Sequence, residues 1–194
     1  MFFKKKKYNT YSDEDLMKSI QRGKSPAFDE LYHRYSSKLY FFFYKMLWQN
    51  EAKANDFTQE LFLKIIENPK SFDARQRFST WIYTIANNLC KNEYRKKNNQ
   101  QKAYDQHQLL QTATTTYTEI DFDKIVFETD LMAALMQLPE THRACFILRY
   151  KDELAVKEIS KILNCPEGTV KSRLFSATQK LRKNLKKHQE SYID

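Results

Sequence analysis

Glycine is nearly missing from this chain: Gly23 and Gly168 are the only two in 194 residues. A glycine-rich phosphate loop or a dinucleotide fingerprint needs several within a few positions, so both are excluded. Parallel α/β folds and β-sandwiches also use glycine freely at turns, so its scarcity points to helices. Only four prolines interrupt them. The three cysteines, Cys90, Cys145 and Cys165, are odd in number, far apart and without a C-x-x-C pair. That excludes a disulfide framework and suits a reducing compartment. Four histidines, His33, His107, His142 and His188, are scattered. With no histidine–carboxylate cluster to hold a catalytic metal, no metal, cofactor or catalytic residue is expected, and the chain reads as a non-enzyme. No apolar run approaches the roughly 18 residues of a membrane span. The densest run, Leu39–Leu47, is interrupted by Lys45, and Met1-Phe2-Phe3 followed by Lys4–Lys7 lacks the apolar region of a signal peptide. A cytoplasmic location is expected.

What the chain has in excess is positive charge: 33 Lys and Arg against 24 Asp and Glu, a net +9. Such an excess favours a polyanionic partner, with nucleic acid ahead of a membrane surface. The charge is segregated. Residues 1–100 carry 19 basic and 11 acidic side chains, 101–128 carry 2 and 5, and 129–194 carry 12 and 8. Two basic blocks flank a mildly acidic connector.

Ser12-Asp13-Glu14-Asp15 predicts a helix start with acids in its first turn, and Gly23 predicts its end. Ser25-Pro26 reads as a cap followed by proline at the first helical position. Phe28, Leu31, Tyr32, Tyr35, Leu39, Phe42, Phe43, Met46 and Leu47 then recur at spacings of three and four, which predicts a long amphipathic helix. Asn50 opens a third, with Ala54, Phe57, Leu61 and Ile65 inward and Asn68-Pro69 as its stop. A fourth is expected from Ser79 to Lys97, burying Trp81, Ile82, Ile85, Ala86 and Leu89. The Asn-, Gln- and Thr-rich stretch that follows offers too little apolar surface to offset chain entropy, so 98–128 is expected to be a flexible linker.

In the second block Leu131, Leu135 and Leu138 predict a short helix closed by Pro139, and a further helix carries Cys145, Phe146 and Leu148. Ile159 and Leu163 then mark a short helix, Asn164-Cys165-Pro166 a turn, and Val170, Leu174, Ala177, Leu181 and Leu185 a longer helix. Two helices across a tight turn form the helix-turn-helix pattern. With Val170 and Leu174 inward, the outer face of the second helix carries Thr169, Lys171, Ser172, Arg173, Phe175 and Ser176. Glu167 is the only acid between Ile159 and Leu185. Short hydroxyls and long cations at a helix start reach base edges and phosphates in a major groove. The architecture expected is all-α: two small helical domains, 1–97 and 129–194, the second a helix-turn-helix.

Leu138-Pro139-Glu140, Phe146-Ile147-Leu148-Arg149-Tyr150, Glu158-Ile159-Ser160 and Gly168-Thr169-Val170-Lys171-Ser172-Arg173-Leu174 together resemble the promoter-reading C-terminal domain of bacterial sigma factors. Asp56-Phe57-Thr58-Gln59-Glu60-Leu61-Phe62-Leu63 is similar to that family's polymerase-binding helix, and Phe78–Asn88 to its promoter-melting helix. Two such domains with only a linker between them resemble the extracytoplasmic-function group. Pro166 departs from the family by standing where many members carry a capping serine.

The resemblance implies core RNA polymerase (its clamp coiled coil and flap), promoter DNA and an anti-sigma factor as partners of a chain that is monomeric when free. It implies contact with the clamp through Asp56, Gln59, Glu60 and Leu63. It implies reading of the minus-ten element by Phe72, Arg75, Arg77, Tyr83, Thr84, Asn87, Asn88, Lys91, Asn92 and Arg95, with Phe72 and Asn88 at the pocket for a flipped base. It assigns Thr169, Lys171, Ser172, Phe175 and Ser176 to the minus-thirty-five element, with Arg149, Lys157 and Arg173 as phosphate anchors. The location it implies is the nucleoid within holoenzyme, or a position near the membrane when an anti-sigma factor holds the chain. A duplex-binding repressor accounts for the second block but not for the basic, aromatic first one, and no heptad seam for a dimer is visible. A nuclease lacks its carboxylate cluster.

Overall fold

Ser12 starts the first helix by accepting the Asp15 amide on its side-chain oxygen at 3.1 Å. The acids Asp13, Glu14 and Asp15 follow at the positive end of the helix dipole. In this computed structural model, which describes residues 8–104 and 131–190 (side chains through Asn99 and Leu185), α1 spans Asp13–Gln21. Gly23 then takes a φ of 75°, a conformation glycine enters without steric penalty. Helix α2 spans Ser25–Met46. Its cap is Lys24, not Ser25: Ser25 is already helical, Pro26 lies in the first turn, and no side chain caps the end. The proline ring presets the helical φ, so the start needs no serine oxygen. Helix α3, Glu51–Glu67, begins where Asn50 accepts the Lys53 amide at 2.9 Å and ends ahead of a single 3₁₀ turn, Pro69–Ser71.

Helix α4, Phe78–Tyr104, begins one residue earlier than expected and continues past Lys97. Residues 98–104, read from composition as the start of the linker, are therefore helical. Asn and Gln are modest helix formers, but on an existing helix each residue adds a hydrogen bond without the nucleation penalty. The rest of the expected linker and the Lys4–Lys7 run lie outside the described residues. After a helical segment at 131–136 come α5 (Glu140–Tyr150), α6 (Val156–Leu163) and α7 (Glu167–Glu190), with no strand among the described residues.

The first four helices close around Leu16, Leu31, Leu39, Phe42, Phe43, Leu61, Ile65 and Phe78, all fully buried. Arg34 ties the entry to this bundle. Its guanidinium donates to Glu30, to Asp13 at 2.8 Å and to the backbone oxygens of Tyr8, Asn9 and Tyr11. Helix α4 buries Phe78, Ile82, Tyr83, Ala86, Cys90 and Tyr94, whereas Trp81, Ile85 and Leu89, expected innermost, are half-buried. The stripe is rotated because α4 is gripped from two sides: α2 and α3 hold one flank and α6 packs on another. Helix α5 also meets α2, and one continuous buried cluster runs through both blocks. A smaller cluster joins Ala134, Leu135 and Leu138 to Ala177 and Leu181.

Leu61 is fully buried while Leu63, two residues on, is 54% exposed. Leu61→Ala is expected to lower stability by about 2–5 kcal/mol, and Leu63→Ala to change it by no more than about 0.5 kcal/mol. Urea denaturation followed by circular dichroism measures both; equal losses would mean that the exposed face of α3 is packed.

Candidate nucleic-acid interface

The turn between α6 and α7 is built from local hydrogen bonds. Asn164 adopts the left-handed conformation (φ 50°, ψ 57°), which asparagine tolerates better than most residues. The Cys165 amide donates to the Ser160 carbonyl at 3.1 Å, and the Ser160 hydroxyl donates to the Cys165 carbonyl at 2.6 Å. At the start of α6 the Ala155 amide donates to Glu158 at 2.9 Å. These bonds fix the crossing of the two helices. Val170, Ala177 and Leu181 point into the core, leaving Lys171, Ser172 and Phe175 exposed and Thr169 and Ser176 half-exposed. Phe175 is 67% exposed, an isolated ring beside cations. The Ser172 hydroxyl donates to the Thr169 carbonyl at 3.0 Å, so it presents lone pairs outward.

The three residues read as phosphate anchors differ. Lys157 is exposed at the start of α6. Arg149 is exposed but also donates to the Leu154 carbonyl at 3.0 Å, bracing the α5–α6 loop. Arg173 is half-buried, with Nη1 3.5 Å from the Cys165 sulfur. Burial pushes the Cys145 thiol up to about 11, and Arg173 pulls it the other way. The Arg173 guanidinium is thus turned toward the helix crossing. Burial, together with Arg173 and Lys180, lowers the pKa of His142.

Helix α4 brings only part of its expected set to the surface. Asn88, Asn92 and Arg95 are exposed and Thr84 and Lys91 half-exposed, at spacings that place them along one face. Arg75 and Arg77 are on the preceding loop, Arg75 paired with Asp73 at 2.7 Å and Arg77 with Glu158 at 3.5 Å. The Arg75 pairing pulls the Asp73 carboxyl down to about 2. Tyr83 and Asn87 are not on this face: they are 1% and 3% exposed and lie against the second block. The Asn87 amide donates to the Ile162 carbonyl at 3.4 Å. Phe72 is 2% exposed, edge-on to Phe78 and Trp81, so it stands here as a core ring while Asn88 stays in solvent. The reason is angular. Residues 83 and 87 sit about 100° from 84 and 88 on the helix, which is enough to place them under a neighbour.

On α3, Asp56, Gln59 and Leu63 are exposed and Glu60 is half-exposed, paired with Lys64 at 2.8 Å. The face continues into Ile66, not singled out from sequence and 52% exposed, and into Tyr32 on α2, expected in the apolar stripe but 45% exposed and 4.6 Å ring to ring from Phe62. Ile66 follows Leu63 by three on an otherwise polar face, a legible signal. Arg143 and Asp152, which join the two blocks, gave none. No group of His, Cys, Asp and Glu among the described residues could hold a metal ion, and no described helix is long and apolar enough to cross a membrane.

Comparison with known proteins agrees with this geometry. Residues 31–100 match the family described as Sigma-70 region 2, and residues 128–181 match Sigma-70, region 4. The chain is 34% identical to the ECF RNA polymerase sigma factor SigW of Bacillus subtilis, over 88% of this chain and 95% of that protein. It is 29% identical to the ECF RNA polymerase sigma-E factor of Haemophilus influenzae, over 90% and 95%. Among solved structures it is similar to the sigma factor RpoE of Bartonella quintana, crystallised with the anti-sigma factor NepR (TM-score 0.67, 24% identity, 82% of this chain and 96% of that one). It is also similar to CnrH in complex with the cytosolic domain of CnrY (TM-score 0.67, 18% identity, 90% and 97%).

Proposed function

Since the chain belongs to the extracytoplasmic-function family of RNA polymerase sigma factors, we propose how its residues divide that work. A member of this family is a DNA-binding initiation factor and not an enzyme: it binds core RNA polymerase and directs promoter-specific initiation. In our reading, residues 1–97 bind polymerase and open the minus-ten element, 98–128 connect, and 129–194 bind the minus-thirty-five element. The protein acts in the cytoplasm. An anti-sigma factor is a natural partner, because RpoE and CnrH, which share this fold, were each crystallised with such a partner or with a cytosolic domain.

The observation that carries the reading is the outer face of α7. It presents Lys171, Ser172 and Phe175 to solvent with Glu167, in the first turn, as the one acid between Ile159 and Leu185, on a helix held at a fixed crossing by α6. Lys171 and Ser172 read bases. Lys157, Arg149 and Arg173 serve phosphates, Arg173 mainly by setting the helix crossing. On α4 the free face of Thr84, Asn88, Lys91, Asn92 and Arg95 takes the separated strand, amides to base edges and cations to phosphates. On α3 the acids Asp56 and Glu60 flank apolar Leu63 and Ile66, a combination suited to a basic helical partner with an apolar seam.

Asp56→Arg is expected to weaken capture of core polymerase at least tenfold with an unchanged circular dichroism spectrum, since like charges brought together at an interface cost several kcal/mol. Pull-down with purified core enzyme measures it, and wild-type capture would remove α3 from the interface.

Base readout and phosphate anchoring separate on a promoter library scored at two salt concentrations. Lys157→Ala is expected to weaken all sequences alike and lower the salt slope by about one. Lys171→Ala is expected to shift preference at one or two positions of the upstream element by about 1–3 kcal/mol. Uniform loss with Lys171→Ala would show that α7 docks in another register.

A further inference from the structure

We infer that Cys145 and Cys165 form a two-thiol oxidation site at the base of α7, closed to a disulfide by a peroxide, and that closing it loosens α7 from DNA. Only the second half rests on the reading of α7 above.

The two thiols meet around one guanidinium. Cys145 lies on α5 and Cys165 in the turn that leads into α7. Arg173 Nη1 stands 3.5 Å from the Cys165 sulfur. The same guanidinium hydrogen-bonds the Cys145 thiol, which also feels Cys165 as a neighbouring charge. Sulfurs that share one planar guanidinium meet the first requirement for a bond between them, proximity. Access divides their roles. Cys165 is half-buried, whereas Cys145 is fully buried and burial pushes its thiol up to about 11. Reactive cysteines are partly exposed in electropositive surroundings. Cys165 has both: Arg173 touches it, and Arg173 and Lys180 together act on His142, one turn before Cys145. Cys145 holds its proton and is placed to react second. Cys90, fully buried in the core of the first block, is no rival to either.

The chemistry balances with a peroxide as oxidant. The Cys165 sulfur attacks one peroxide oxygen, the O–O bond breaks, and the thiol proton leaves with the departing hydroxide as water. Sulfur is oxidised by two electrons to a sulfenic acid and the peroxide is reduced. The Cys145 sulfur then forms the S–S bond, the S–O bond breaks, and the Cys145 proton leaves with hydroxide as a second water. In a reducing compartment such a bond is transient, which suits a sensor more than a staple.

The bond reaches α7 through the turn and through Arg173. The Cys165 amide and carbonyl are both held by Ser160, so a sulfur drawn toward α5 pulls on α6 as well. Arg173 loses the sulfurs it rests against and no longer ties α7 to the turn. Lys171, Ser172 and Phe175 then leave the crossing at which they share one groove with Lys157 and Arg149.

The test treats the full chain with a few equivalents of hydrogen peroxide, blocks remaining thiols with N-ethylmaleimide after unfolding, and reads tryptic peptides by mass spectrometry. Residues 144–149 and 162–171, cut at Arg143, Arg149, Lys161 and Lys171, hold one cysteine each and no methionine. They are expected as one linked peptide, while Cys90 is recovered as the maleimide adduct. Affinity is measured in parallel for the fluorescein-labelled duplex that the reduced protein selects most strongly from the promoter library. Oxidation is expected to weaken it about fivefold or more, the loss of a single good base contact, and dithiothreitol to restore it. Cys165→Ala should keep its affinity under peroxide, and Cys145→Ala should give an oxygenated 162–171 peptide and no link. Recovery of both wild-type peptides unlinked would overturn the site. A linked peptide with unchanged affinity would overturn its hold on α7. A reduced protein that selects no duplex would overturn the reading of α7, with the linked peptide still deciding the site.

Discussion

A helix offers a circumference of fixed size, and α4 divides its own three ways. One flank, from Phe78 through Ile82 and Ala86 to Cys90, goes into the N-terminal core. A second, Thr80, Tyr83 and Asn87, lies under α6. The third, Asn88, Asn92 and Arg95, is in water. Successive residues are separated by about 100°, so no flank can be widened without narrowing another. The positions of α2 and α3 on one side and α6 on the other follow from this division. So does the amount of polar surface left for nucleic acid.

Arginines play a matching part at the joints. Half-buried Arg34 and buried Arg143 are each spread over backbone carbonyls: Tyr8, Asn9 and Tyr11 for the first, Lys45, Met136 and Leu138 for the second. A planar guanidinium with five donors suits such diverging acceptors, where an ammonium would leave some unmet. The two differ in what they hold. Arg34 also meets Asp13 and Glu30 and so is neutralised locally, whereas Arg143 makes no ion pair among the described residues, its Nε is left without a hydrogen-bond partner, and burial lowers its pKa. A group of that kind stabilises a joint while leaving it separable, because water can replace a carbonyl more readily than a carboxylate.

Much of this was legible in the sequence because local chemistry decides it. The Ser12 and Asn50 caps, the stop at Pro69, the turn at Asn164-Cys165-Pro166 and the inward Val170, Ala177 and Leu181 are each set by neighbours within a turn or two. The extent of α4 past Lys97 was not legible, since composition speaks to initiation and the helix there only has to propagate. The burial of Phe72, Tyr83 and Asn87 was not legible either. Tyr83 and Asn87 lie on an edge that periodicity leaves polar, and only the arrival of α6, from residues far along the chain, covers it. Asp152 was invisible for the same reason: a lone acid in a loop looks solvated until another domain packs on it. Ile66 was within reach, an apolar residue three positions after Leu63 on a face otherwise charged.

The electrostatics of the two blocks then argue for how packing and function fit together. A ligand shifts a two-state equilibrium only by its difference in affinity for the two states. Polymerase has little such difference by itself, since the α3 face of Asp56, Gln59, Leu63 and Ile66 is exposed while the two blocks are packed together. The cleft that Arg77 and Thr80 share with Lys157 and Lys161 is an open space of about 240 Å³ between the blocks, with Glu158 as the one acid in its lining. A sequence that offers only phosphates meets cations of this kind alone, while one that also satisfies the base-reading faces of α7 and α4 has binding free energy to spare.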